Sequence, residues 1–187
     1  MERPRLSVSP WAALCAGLFF YAADGALLRA MLPAVLVHEL GHALALRLSG
    51  GRIRELRLEP GGFCIRYASR PDRRGEILCA AAGPAAGLLY APAAACFGPG
   101  GELSAGVSLL LSVFNLLPAP PLDGGRIASA LLSEHVCTVL AACSASLTAL
   151  FGFLLFLKGR GAALALAGLF LLCWLICQER SSEICPD

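Results

Sequence analysis

The sequence predicts an all-α polytopic membrane protein of about six transmembrane helices, with a short β-hairpin-like loop between the second and the third. Three observations predict it. Hydrophobic residues make up 57% of the 187-residue chain and charged residues only 15%, a balance far from that of water-soluble domains. Apolar segments of near-spanning length recur along the whole chain, against the ~20 residues a span requires. Arginines concentrate in one stretch, as they do in cytoplasmic loops. In hydrocarbon each backbone N–H and C=O must be satisfied within its own segment, which makes the helix the economical spanning element.

The first span is read at about Trp11 to Leu28. Its basic start, apolar run and small residues are shared with secretory signals, but "YAADGA" is a weak cleavage site and the segment is taken as uncleaved. The second span runs from Met31 to Leu48 and the third from Gly75 to Phe97. Between them "LRLEPGGFCIRY" alternates at Leu56 and Leu58, offers Pro60 and Gly61 for a turn, and alternates again at Phe63, Ile65 and Tyr67, which is the pattern of a hairpin. The fourth span, Leu103 to Leu117, is short and gives way to "NLLPAPPLDGGR", Asn115 to Arg126. Three prolines and two glycines cannot continue a regular helix there, and broken backbone at membrane depth implies a protein-covered or water-filled cavity. Val136 to Leu157 and Gly161 to Cys177 complete the six. With no linker or internal repeat, residues 1–187 read as one domain without a separate soluble C-terminal domain.

The formal charge of +2 is too small to suggest a nucleic-acid partner, and the uneven arginine distribution reads better as an orientation signal. With six spans both termini share one side, and twelve of the fifteen Lys and Arg residues then lie with them, including the cluster from Arg47 to Arg74; only Arg29, Lys158 and Arg160 lie opposite. By the positive-inside rule that side is the cytoplasm, so the protein is expected to be an integral, multi-pass membrane protein with both termini cytoplasmic. The nine cysteines are scattered, without zinc-ribbon or disulfide spacing, and most are expected to be small buried hydrophobes.

The second span carries an anomaly. "LPAVLVHELGHALALRLSG", Leu32 to Gly50, holds two histidines and a glutamate inside an apolar run, where an ionisable side chain is costly unless partnered. On a helix His38 and His42 share one face, suited to binding one zinc, with Glu39 beside them as a base. A hydrolytic zinc generally takes three protein ligands and keeps an open position. The third ligand is then either His135, the chain's only other histidine, or a carboxylate. Asp123 is preferred, because Gly124 and Gly125 beside it permit close backbone approach in the broken segment; its competing reading is a helix N-cap before "RIASALLSEH". Asn115 is read either as a donor to a tetrahedral oxyanion or as a cap on the broken helix.

Three features together resemble the site-2 proteases, a family of intramembrane zinc metalloproteases: HExxH in the second span, "AAGPAAG" at Ala81 to Gly87 opening the third, and N-x-x-P-x-x-P-L-D-G from Asn115 to Gly124. The layout looks most like the subgroup of the stage IV sporulation protease FB. The resemblance implies one Zn2+ per chain held by His38, His42 and Asp123, with Glu39 as the catalytic carboxylate and Asn115 and Pro118 shaping the substrate site. It implies a transmembrane or membrane-associated protein substrate, the lipid bilayer as surroundings, and room for an inhibitory or regulatory membrane partner. Two departures stand out: the family often has asparagine where this chain has Gly87, and the nucleotide-sensing C-terminal domain common among sporulation proteases is not expected here.

Two rival functions remain at this level. A membrane metal transporter also uses intramembrane His and Asp, but has no need of Glu39. A catalytically silent relative that binds membrane helices has no need of the full set.

Overall fold

The computed structural model describes residues 5–10, 12–14, 17, 21, 24–59, 62–69, 72–159 and 162–184. Packing divides the chain into two compact units, Met1–Asn115 and Leu116–Asp187. Eight of the eighteen residues of the expected first span lie outside the described residues. At its start, Ser9 accepts a hydrogen bond through Oγ from Ala12 N–H at 3.1 Å, the bond of a helix N-cap.

In the first unit, α1 is Gly25–Leu48, 24 residues with Pro33 inside, about 36 Å of helix against a hydrocarbon core of about 30 Å. Leu36, Leu40 and Leu44 follow one another at helical spacing and are 59%, 64% and 61% exposed, a stripe suited to lipid. Ala34 and His38, on the other side, are buried. The helix ends where Ser49 N–H and Oγ both donate to the Ala45 carbonyl and Gly50 turns the chain at φ +71°, a conformation that favours glycine.

A three-stranded sheet follows. Strands β2 (Arg52–Glu59) and β3 (Gly62–Ser69) form the expected hairpin, antiparallel, with Leu56 opposite Ile65 and Leu58 opposite Phe63; its turn residues Pro60 and Gly61 lie outside the described set. Strand β1, Arg5–Val8, adds in parallel to the other edge of β2, with Arg5 opposite Glu55. Ser7 Oγ also donates to Glu55 Oε1 at 3.3 Å. This strand has no counterpart in the sequence reading, since four residues beside a basic terminus carry too little alternation to stand out.

Helix α2, Arg73–Ala95, opens with Asp72 accepting from Gly75 N–H at 2.8 Å and Glu76 in its first turn, both favourable at the positive end of a helix. Its buried residues are small: Cys79, Ala80, Gly83, Pro84, Gly87, Ala91 and Ala94. Helix α3, Gly98–Asn115, buries Ser104, Ser108 and Ser112, one turn apart. Ser104 Oγ donates to the Ala30 carbonyl at 2.8 Å and meets Tyr90 Oη at 2.9 Å, while Ser108 Oγ donates to the Gly87 carbonyl at 2.9 Å. Small residues and interhelical hydroxyl bonds are what hold helices together where lipid removes the hydrophobic drive.

The second unit begins with the proline-rich segment and continues as α4 (Asp123–Leu131), α5 (Glu134–Leu157) and α6 (Ala162–Ile184). Helices α5 and α6 pack closely enough that a Cβ on Gly168 would collide with the backbone of Ala149. Among the described residues α1, α2 and α5 are long and apolar enough to cross a membrane, and Leu164–Cys177 forms a shorter apolar helical run. The chain is thus a helical membrane protein. The cysteine expectation needs correcting: of the six whose side chains are described, Cys79 is buried, Cys137 half-buried, and Cys96, Cys143, Cys173 and Cys177 are exposed. An apolar helix in lipid satisfies its small hydrophobes on the outer face, so burial in protein is not required of them.

Candidate metal centre

The i, i+4 spacing brings His38 and His42 together as expected. Their Nε2 atoms lie 3.2 Å apart with the rings nearly perpendicular, at 80°. Two nitrogens bound to one tetrahedral zinc at ordinary Zn–N lengths are separated by about 3.3 Å, so the pair already has the spacing of two ligands to one ion. His42 Nδ1 is 2.7 Å from the Cys79 carbonyl oxygen. A carbonyl only accepts, so Nδ1 carries the proton and donates, and the lone pair of a neutral ring is left on Nε2, facing His38. His38 is 4% exposed. Glu39, next in sequence, is half-buried on a neighbouring face of α1.

Helix α2 forms the wall behind this pair. Gly41, inside the motif, lets α1 approach so closely that a Cβ there would stand 2.5 Å from the Ala82 carbonyl oxygen and 2.8 Å from Ala86 Cβ. A Cβ on Gly83 would enter the His42 ring itself, with Cδ2 at 2.6 Å and Nε2 and Cε1 nearer still. Sequence reasoning missed these contacts. The small residues of "AAGPAAG" were visible, but which one faces an imidazole depends on helix rotation, which the sequence does not show.

Asp123 stands in the first turn of α4, with Leu122 as the N-cap residue. The N-cap reading of Asp123 therefore does not hold in its strict form. Its carboxylate is buried, the residue 8% exposed, and Oδ1 lies 3.5 Å from Arg126 Nη1. The glycines after it have the expected use: a Cβ on Gly124 would meet the Leu117 carbonyl at 2.5 Å, and one on Gly125 would meet the Ala119 and Pro120 backbone at 2.6–2.8 Å. The broken segment thus folds back onto the start of α4. His135, by contrast, is exposed near the start of α5. Asn115 Nδ2 donates to the Leu111 carbonyl at 2.9 Å, the bond expected of the helix-cap alternative; an oxyanion contact would use its second N–H. Pro118 is half-buried in the broken segment and lines a cleft of about 360 Å³ with Pro120, Gly125 and Ala128.

The donor chemistry suits zinc: two imidazoles at ligand spacing, one with its Nδ1 held by a backbone carbonyl, and a buried carboxylate elsewhere in the chain. A zinc metalloprotease of Methanocaldococcus jannaschii is 29% identical over 111 residues, which cover 54% of this chain and 32% of that protein. The Mycobacterium tuberculosis protein Rip3, which carries a provisional zinc-metalloprotease name, is 34% identical over 119 residues, 54% of this chain and 30% of its own. The chain thus spans about a third of the length of these curated relatives. The solved structure of a site-2 protease from M. jannaschii superposes with a TM-score of 0.61 at 25% identity, over 91% of this chain and 89% of that one. A profile of peptidase family M50 matches residues 102–158, which contain Asp123. The Peptidase M50B-like profile matches residues 11–119, more than half of the chain and inclusive of His38, Glu39, His42, Asn115 and Pro118, so the chain belongs to that family.

Proposed function

We propose that this chain is an intramembrane zinc metalloprotease that hydrolyses peptide bonds in or near the transmembrane segments of membrane-associated proteins. The observation that carries the reading is the His38–His42 pair, at ligand spacing on a helix long and apolar enough to cross a membrane, with Glu39 between them in sequence. One Zn2+ per chain is held by His38, His42 and Asp123. Zinc, when bound, polarises the scissile carbonyl and makes water a competent nucleophile at neutral pH. Glu39 takes the proton from the attacking water and delivers it to the leaving amine. Asn115 and Pro118 shape the substrate site, with the second N–H of Asn115 available to the oxyanion.

A substrate helix has no free backbone groups to offer, so its cleaved stretch unwinds and pairs as an added strand on the hairpin. Strand β1 covers one edge of β2, so among the described residues the sheet has β1 and β3 at its edges, and β3 is the edge that belongs to the hairpin. Within the family, the layout is that of the stage IV sporulation protease FB subgroup, with both termini in the cytoplasm of a prokaryotic cell and an inhibitory membrane partner accommodated.

The test is to purify the wild type and Glu39→Gln, measure bound zinc in both, and follow cleavage of a panel of single-span membrane proteins. Zinc in both, with cleavage lowered about 10²- to 10⁴-fold in the variant, is the expected result. Cleavage by Glu39→Gln at the wild-type rate would sink the mechanism. Zinc movement across vesicles by both proteins, without cleavage by either, would favour a transporter.

A further inference from the structure

We infer that Gly83 is a positioning residue for the metal centre: with the Cys79 carbonyl one turn before it, it fixes the pose and tautomer of His42 so that Nε2 faces the ion. This rests on the reading of His38 and His42 as metal ligands. The observation behind it is that two constraints on one ring come from a single turn of α2. The Cys79 carbonyl accepts from His42 Nδ1 at 2.7 Å. In a regular helix that carbonyl also accepts from the N–H four residues later, which is the N–H of Gly83. The imidazole fills the volume a side chain at residue 83 would take. Any residue but glycine there pushes the ring away, and the ring cannot move without lengthening the bond to Cys79 and the 3.2 Å approach to His38. One added methyl group thus undoes both the orientation and the tautomer lock.

The turn is built for the contact. Cys79, Ala80, Gly83 and Pro84 are all buried and small, which leaves room for the imidazole against this wall. The other close glycines on these helices serve packing. Gly41 meets the Ala82 backbone and Ala86 Cβ, whereas Gly87 meets the hydroxyls of Ser112 and Ser108. Gly87, one turn after Gly83 on the same helix, is therefore a matched control for overcrowding, and Gly106, with nothing within 4 Å of its Cβ position, is a control for the substitution itself.

The experiment compares wild type, Gly83→Ala, Gly87→Ala and Gly106→Ala in one detergent, measuring zinc affinity by chelator competition, the visible spectrum of the Co2+-substituted protein, and thermal unfolding. Supporting bonds to metal-binding histidines typically contribute 10- to 100-fold in affinity. Gly83→Ala is expected to weaken zinc binding at least tenfold and to change the Co2+ ligand-field bands, with a loss of thermal stability no larger than that of Gly87→Ala. Gly106→Ala is expected to match wild type. Wild-type affinity and an unchanged Co2+ spectrum in Gly83→Ala would overturn the inference, as would an equal zinc loss in Gly87→Ala. If Gly83→Ala does not fold, Nδ1-methylhistidine at position 42 removes the donor to Cys79 while keeping Nε2; a tenfold loss supports the inference and an unchanged affinity overturns it. A wild type that binds no zinc removes the metal reading and this inference together, whereas zinc in the wild type with a silent Gly83→Ala removes only the inference.

Discussion

Asp123 and His135 compete for the role of third ligand, and burial separates them. Asp123 is 8% exposed at the start of a nine-residue helix, whereas His135 is exposed. A buried charge is costly unless it is paired or coordinates a metal, and the Asp123 carboxylate, 3.5 Å from Arg126, is also of the type that ligates zinc. Asp123→Asn is therefore expected to lower zinc affinity by more than the tenfold that a lost supporting bond costs, while His135→Ala leaves it unchanged; both are read by chelator competition. The reverse pattern would transfer the role to His135. Gly124 gives a second expectation, since a methyl group there meets the Leu116 and Leu117 carbonyls. Overpacking of this kind costs about 1–3 kcal/mol, so Gly124→Ala should unfold at a lower temperature than wild type. Wild-type stability would show that the broken segment is free to move.

Among the elements, the hairpin and α3 make the clearest claims. Proline at Cys64 or Ile65 removes a strand N–H from β3, and substitution there is expected to slow cleavage several-fold without releasing zinc; unchanged rates for both variants would exclude strand addition at this edge. In α3, Ser104 bridges to the Ala30 carbonyl and Tyr90. Hydroxyl bonds between membrane helices contribute about 0.6–2 kcal/mol, so Ser104→Ala is expected to lower thermal stability by an amount in that range without changing zinc content. The sequence disclosed elements whose signal is local. His38 and His42 stood out because a four-residue spacing is itself a geometry, and Gly124 and Gly125 because paired glycines beside prolines mark close backbone approach. The β2–β3 hairpin was visible from alternation. What stayed hidden depends on distant partners: β1 pairs with residues about fifty positions later, and Gly83 and the Cys79 carbonyl matter only through a ring on another helix. The outward-facing cysteines were misread because apolar character does not distinguish a lipid-facing site from a buried one.

At the scale of the whole molecule, the open question is how many times the chain crosses the bilayer. Helices α2 and α5 pass the test of length and apolarity. Helix α3 has 18 residues, about 27 Å at 1.5 Å per residue, a little short of the ~30 Å core, and it begins with glycines and a glutamate. Two of its three buried serines, Ser104 and Ser108, nonetheless donate to carbonyls of α1 and α2, which is how polar groups are satisfied at membrane depth, while the buried Ser112 hydroxyl has no such bond. Helix α4, at nine residues, is too short to cross. If α2, α3 and α5 all cross, an odd number of crossings separates Arg73 from Lys158, and the two lie on opposite sides. If α3 stays on one side, the number is even and they share a side. Both residues are exposed, so single cysteines at 73 and 158, in a background without the native thiols, report the answer through an impermeant maleimide on intact cells. The arginine distribution and the positive-inside rule predict labelling at 158 in intact cells and at 73 only after lysis. Labelling of both, or of neither, would show that α3 does not span and would remove the six-span topology; labelling at 73 alone would invert it and put the termini outside.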